Sequence, residues 1–239
     1  MLIITGHMRL NLGDHICGIY STEDELCGIV APYLSEGLRR GERCWFLPST
    51  KGEANVRRGL IEEGIDVDRE VRRGALVFAD STAAYAVRGQ FDAEETMAVF
   101  GAAIEDALND GFSGFRAAAE MSWVMDVEGG EERIVIYEAL LKSLFSNGHA
   151  TGLCLYHRDR MPLTVIDGAL ATHPIVHAPR SGYRRNPYYD PGVTAGFTAD
   201  RSAASRAEYR VKQMSRAQKL ALCLLLPAPG STDATGPRG

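Results

Sequence analysis

Short apolar runs of strand character alternate along this chain with longer stretches of helical spacing. Asp14–Tyr20 reads as a buried strand, and the stretch from Ser21 through Leu34 opens a helix directly behind it. The pattern then repeats. Arg43–Pro48, Ala75–Asp80, Phe115–Trp123 and Thr151–His157 predict four more strands. Between them lie a helix at Gly52–Glu63, a short helical connection at Ile65–Arg73, and a long helix from Phe91-Asp92 through Asn109. Glu132–Phe145 and Pro162–Thr172 predict two further helices. In the long helix Met97, Phe100, Ile104 and Leu108 recur at helical spacing, and Asp92 is placed to cap its first turn. Gly41, Gly64 and Asn147-Gly148 mark helix ends. Ser81–Gly89 reads as a loop containing Tyr85, and Ile175–Tyr183 as one or two edge strands. Asn186-Pro-Tyr-Tyr-Asp-Pro reads as an extended, rigid close to the domain.

Strands alternating with helices make βαβ units. The expected fold is therefore α/β, a three-layer arrangement with a mainly parallel sheet and helices on both faces. Residues 13–191 form the expected domain. Beyond it the composition changes: Ala, Ser, Arg and Lys dominate Thr198–Lys219, and Gly, Pro and Thr dominate Pro227–Gly239. The expectation is a partly helical tail over 192–226 and disorder over 227–239. A thin apolar stripe in the tail suggests docking on its own domain, on a second copy or on an output partner.

Composition narrows the function. The 239 residues are 45% hydrophobic, which suits a packed core, and the net charge of −5 leaves no basic stripe for direct nucleic-acid binding. Five cysteines form no Cys-x-x-Cys pair, and with no signal peptide they fit a reducing cytoplasm. Met1–Thr5 and Leu220–Leu226 are too short to cross a membrane.

The loop after the first strand is where such folds hold phosphate. That chemistry needs Gly-x-x-x-x-Gly-Lys-Ser/Thr, so that bare amides and a Lys face the anion. Here the turn offers Glu23, Asp24 and Glu25, and none of the four lysines follows a Gly. Thr22 with Glu25 forms a capping box instead, and a carboxylate-rich first turn repels phosphate. No Gly-x-Ser-x-Gly elbow, His-Glu-x-x-His or Gly-x-Gly-x-x-Gly occurs. The chain is expected to be no enzyme and to need no cofactor.

Ligands of open α/β sheets bind beyond the carboxyl ends of the strands. This rule selects Tyr20-Ser21, Pro48-Ser49, Asp80-Ser81, the Glu120–Trp123 segment and Tyr156-His157-Arg-Asp159. Glu120 follows three alanines in a strand buried on both faces, where a carboxylate is costly unless paired. It is either a ligand acceptor or a structural bond to a loop amide or an Arg. Trp123 is a stacking wall or a core plug, with stacking favoured by its place at a strand end. Tyr188 and Tyr189 read as packing residues that clamp a chain end. His15 and Cys17 share one strand face, Cys154 and His157 lie on opposite faces of another, and Pro174 argues against a helical pair of His173 and His177. These spacings match no standard metal pattern. Core packing is the plainer reading of the cysteines.

Several motifs stand in a telling order: His15-Ile-Cys-Gly-Ile-Tyr, Gly41-Glu-Arg-Cys, Phe91-Asp, Glu120-Met-Ser-Trp, Leu155-Tyr, Thr172-His-Pro and Asn186-Pro-Tyr-Tyr. In this the chain resembles the MEDS domain, the methanogen/methylotroph, DcmR-type sensory domain, over about Gly13–Pro191. The resemblance implies a RecA/KaiC-like fold without a working phosphate loop. It also implies a role in sensing small organic, hydrocarbon-derived molecules within transcription regulators and sensor kinases. The ligand-binding residues expected on these grounds are His15, Tyr20, Glu120, Trp123, Tyr156 and His173. No kinase, ATPase or helix-turn-helix segment is evident, so output is expected through the tail, through self-association or through another protein. Two alternatives are a degenerate RecA/KaiC-like nucleotide-binding protein and a redox or metal sensor using His15, Cys17 and nearby groups.

Overall fold

A computed structural model describes residues 8–49, 52–79, 85, 91–126, 130–178 and 182–195. The tail expected over 192–226, apart from its first residues, and the segment 227–239 lie outside them, as does most of the Ser81–Gly89 loop. The strands are β1 (His15–Tyr20), β2 (Arg43–Leu47), β3 (Leu76–Phe78), β4 (Phe115–Glu120), β5 (Ala150–His157), β6 (Ile175–Ala178) and β7 (Gly182–Arg185). The helices are α1 (Glu23–Arg39), α2 (Gly52–Glu62), α3 (Val67–Arg72), α4 (Ala93–Asn109), α5 (Gly130–Phe145), α6 (Leu163–Thr172) and α7 (Pro191–Ala195).

The described strands form one sheet in the order β3-β2-β4-β5-β1-β6-β7. β1 to β6 run parallel, and β7 returns antiparallel to β6 at the edge. Helices α1, α2 and α3 cover one face over Ile16, Phe46, Ala118 and Leu155. Helices α4, α5 and α6 cover the other over Cys17, Trp45, Ala117 and Cys154. Burial on both faces explains why β2 and β4 are continuously buried and show no alternation.

The caps follow the sequence. Thr22 Oγ1 accepts from the Glu25 amide at 3.2 Å, and the Glu25 carboxylate accepts from the Ser21 amide at 2.7 Å. Asp92 accepts from the amides of Glu94 and Glu95. Two readings need correction. β4 ends at Glu120, and Met121–Asp126 is a 3-10 helix, so Trp123 is not at a strand end. The Asn186 stretch is a turn, not an extended close, because the Asn186 side chain donates to the carbonyls of Leu170 and His173 and accepts from the Tyr188 amide. Tyr189 does clamp, through Lys142, whereas Tyr188 is exposed.

Candidate functional site

Two constellations of buried polar groups lie on opposite faces of the sheet. The first lies at the carboxyl ends of β1, β2 and β4. The Glu120 carboxylate accepts from the Tyr20 hydroxyl at 2.8 Å, from the Ser49 hydroxyl at 2.5 Å and from the Ser49 amide at 3.1 Å. Burial raises its pKa, and these three bonds offset part of that rise. Gly52 opens α2 against the same carboxylate. A Cβ there would stand 2.5 Å from Oε1, so only Gly allows the approach. Glu120 thus ties the β2–α2 loop to β1 and β4, which is the loop-amide bond that its burial required. Glu120→Gln is expected to cost about 1.5–3 kcal/mol, the range for hydrogen bonds to a charged group. Tyr20→Phe should cost about 1 kcal/mol. Urea unfolding of both variants checks this. Equal midpoints for Glu120→Gln and wild type would remove the carboxylate from the list of structural groups.

The second constellation is sealed between the sheet and helices α5 and α6. His15 comes from β1, Cys154 and Tyr156 from β5, Glu138 from the middle of α5, and His173 from the end of α6. Each side chain is at most 3% exposed. Glu138 Oε2 lies 3.1 Å from His15 Nε2, 3.3 Å from His173 Nε2 and 3.4 Å from Cys154 Sγ. The Tyr156 hydroxyl donates to Glu138 Oε1. Cys154 Sγ is 3.5 Å from His15 Nε2, and the two imidazoles face each other at 3.9 Å. His173 Nδ1 donates to the Ala169 carbonyl at 2.7 Å.

Burial disfavours the Glu138 anion, but the imidazoles of His173 and His15 beside it outweigh this and hold its pKa well below the usual carboxylate range. Burial, aided by His173, lowers His15 to about 4, so His15 is neutral at pH 7. Burial beside Glu138 pushes the Cys154 thiol well up. The centre is the Glu138 carboxylate, faced by two imidazoles, a thiol and a phenol.

Trp123 belongs to neither constellation. It is 1% exposed and stacks on Tyr85 at 4.4 Å, with Phe91 at 4.6 Å and Tyr137 edge-on. Its Nε1 is buried without a hydrogen-bond partner among the described residues. Tyr137 adjoins Glu138 on α5, so this aromatic box abuts the second constellation.

Of the six residues expected at one site, the structure brings His15, Tyr156 and His173 together. It places Tyr20 with Glu120 on the opposite face and Trp123 in the box. Cys17 shares the His15 face, as expected, but Cys154 takes the place beside the His15 ring. Glu138 escapes the sequence reading, and Ser49 is selected there only as a strand end beside the crevice. A signal for Glu138 exists: Ile134, Glu138, Leu141 and Phe145 form one buried helical stripe, and Glu138 is its only charged member.

The order of strands and the helices on both faces define a three-layer α/β domain with a mainly parallel sheet. The chain belongs to the MEDS family, the methanogen/methylotroph, DcmR sensory domain, whose profile matches residues 14–174. It is 28% identical over 131 residues to the transcriptional repressor DcmR of Methylorubrum extorquens. That match covers 55% of this chain and 46% of the repressor, so the chain spans less than half of that protein's length. An uncharacterized protein of Pyrococcus horikoshii, solved in complex with an unknown peptide, shares the fold. Its TM-score is 0.50 at 16% identity, over 74% of this chain and 83% of that one. A KaiC-like protein of Pyrococcus horikoshii OT3 gives a TM-score of 0.46 at 13% identity, over 69% of each chain.

Proposed function

We propose that this chain is a non-catalytic sensory module that binds a small organic, hydrocarbon-derived molecule and passes the signal to a transcription-regulatory or kinase-linked output. Membership of a sensory family supports the role, and the DcmR likeness supports the regulatory setting. The observation that carries the choice of ligand is the box of Tyr85, Phe91, Trp123 and Tyr137. It gathers four buried aromatic rings around a donor, Trp123 Nε1, that has no partner among the described residues, which suits an apolar ligand with a single polar group. Nucleotide is disfavoured because Glu23, Asp24 and Glu25 fill the first turn of α1, where the macrodipole would otherwise attract phosphate. Output then runs through the chain beyond residue 195, through a second copy or through another protein, without direct contact to nucleic acid or membrane. No described helix is long and apolar enough to cross a bilayer.

Thermal melting with a panel of short alcohols and aldehydes tests the reading, with Mg-ATP as the negative control. At least one organic compound should raise the midpoint by mass action, by about 2.7 kcal/mol of stability at a hundredfold excess over its Kd. Mg-ATP should leave it unchanged, and Trp123→Phe should weaken the organic response. A shift with micromolar Mg-ATP, or organic responses indifferent to Trp123→Phe, would overturn the assignment.

A further inference from the structure

The buried cluster opposite Glu120 gathers four potential metal-ligating atoms around one point. His173 Nδ1 faces a carbonyl at 2.7 Å, which only a protonated nitrogen satisfies. Its other nitrogen, Nε2, faces Glu138 Oε2 at 3.3 Å and is buried with no hydrogen-bond partner among the described residues. Cys154 Sγ and His15 Nε2 converge on the same oxygen.

We propose that His15 Nε2, Glu138 Oε2, Cys154 Sγ and His173 Nε2 form a tetrahedral site for a divalent transition ion of the zinc class. The four atoms lie within 4.8 Å of one another. Bonds of about 2.0–2.1 Å to nitrogen and oxygen and about 2.3 Å to sulfur set tetrahedral edges of about 3.3 Å between N and O and about 3.5 Å to sulfur. Four of the six edges match these values, at 3.1 and 3.3 Å between N and O and 3.4 and 3.5 Å to sulfur, and the other two, from His173 Nε2 to His15 Nε2 and to Cys154 Sγ, are within 4.8 Å. A cation at the centre takes the His173 lone pair and the Glu138 charge at once, and binding it releases the thiol proton of Cys154.

The outer groups fit as well. The Ala169 carbonyl fixes the His173 tautomer through Nδ1, and the Tyr156 hydroxyl holds the second oxygen of Glu138. One imidazole, one thiolate, one carboxylate and a second imidazole suit zinc better than calcium or magnesium, which prefer oxygen. Four protein ligands close the site, so its role is structural and regulatory rather than catalytic. The ion would fasten α5 and the end of α6 to the paired strands β1 and β5. This site is separate from the aromatic box, and neither proposal depends on the other.

Elemental analysis of the full chain, purified without a histidine tag or chelator, should find near-stoichiometric zinc. Titration of the chelator-treated protein with cobalt(II) should give the visible bands of a tetrahedral ion and a thiolate-to-cobalt charge-transfer band. Cys154→Ser should lose the charge-transfer band, while Cys17→Ser, on the same face, keeps it. Tyr156→Phe should weaken binding about 10–100-fold. A cobalt spectrum of wild type without tetrahedral and charge-transfer bands overturns the site whether or not any variant folds. A charge-transfer band that survives in Cys154→Ser does so too.

Discussion

Glu138→Gln, measured with chelator present, is expected to lower the thermal midpoint by roughly 10 °C. Glu138 is wholly buried and accepts from Tyr156 and Cys154 while facing both imidazoles. Its neutral amide keeps the volume but presents an NH2 group to donors, so the cluster loses its only anion. Breaking a buried charge pair from one side costs about 3–5 kcal/mol. For a domain of this size each kcal/mol shifts the midpoint by about 2–4 °C. Differential scanning calorimetry decides. A midpoint within about 2 °C of wild type would mean that the carboxylate charge does not organise the cluster.

A comparable loss, about 3 kcal/mol, is expected for Arg116→Met, on the other face. Arg116 is fully buried in β4, and its Nε and Nη2 donate to Glu42 at 2.5 and 3.3 Å. Nη1 donates to the Tyr33 carbonyl at 3.2 Å, and the guanidinium lies 4.6 Å over the Tyr33 ring. Gly37 makes room: a Cβ there would meet Arg116 Cδ at 2.6 Å. Methionine fills much of the volume but leaves Glu42 buried, with Arg40 at 4.0 Å as its remaining cation. The stranded carboxylate accounts for most of the cost. Arg116→Met combined with Glu42→Leu should therefore be more stable than Arg116→Met alone in urea. If the second change adds further loss, the penalty lies in packing and not in the unpaired charge.

Much of the fold is legible in the chain itself. Period and caps place β1, α1 and α4, because Thr22 and Asp92 act on amides within four residues and need no tertiary partner. The parallel sheet follows from the alternation of strands and helices, and the failed phosphate loop from three adjacent acids. The limits of β4 were harder to read. Phe115–Trp123 is apolar throughout, and nothing local says that the chain turns into a 3-10 helix after Glu120.

The sites divide along the same line. Sequence alone identified His15, Tyr20, Glu120, Trp123, Tyr156 and His173 as residues whose chemistry needs explaining. It could not say which of them meet. That is a matter of strand order: β1 lies between β5 and β6, and β4 on the far side of β5, so neighbours in the sheet are distant in the chain. The side-chain period of two then sends Tyr20 and Glu120 to the α1 face and His15, Cys154 and Tyr156 to the α5 face. Glu138, the centre of the second constellation, lies on a helix whose partners are 123 residues before it and 35 after it in sequence (138 − 15 and 173 − 138). Local sequence fixes which groups are buried and what they can donate. Only the packing of α5 and α6 on the sheet brings four of them around one point, because long-range burial, not local propensity, decides what shares a dry interior.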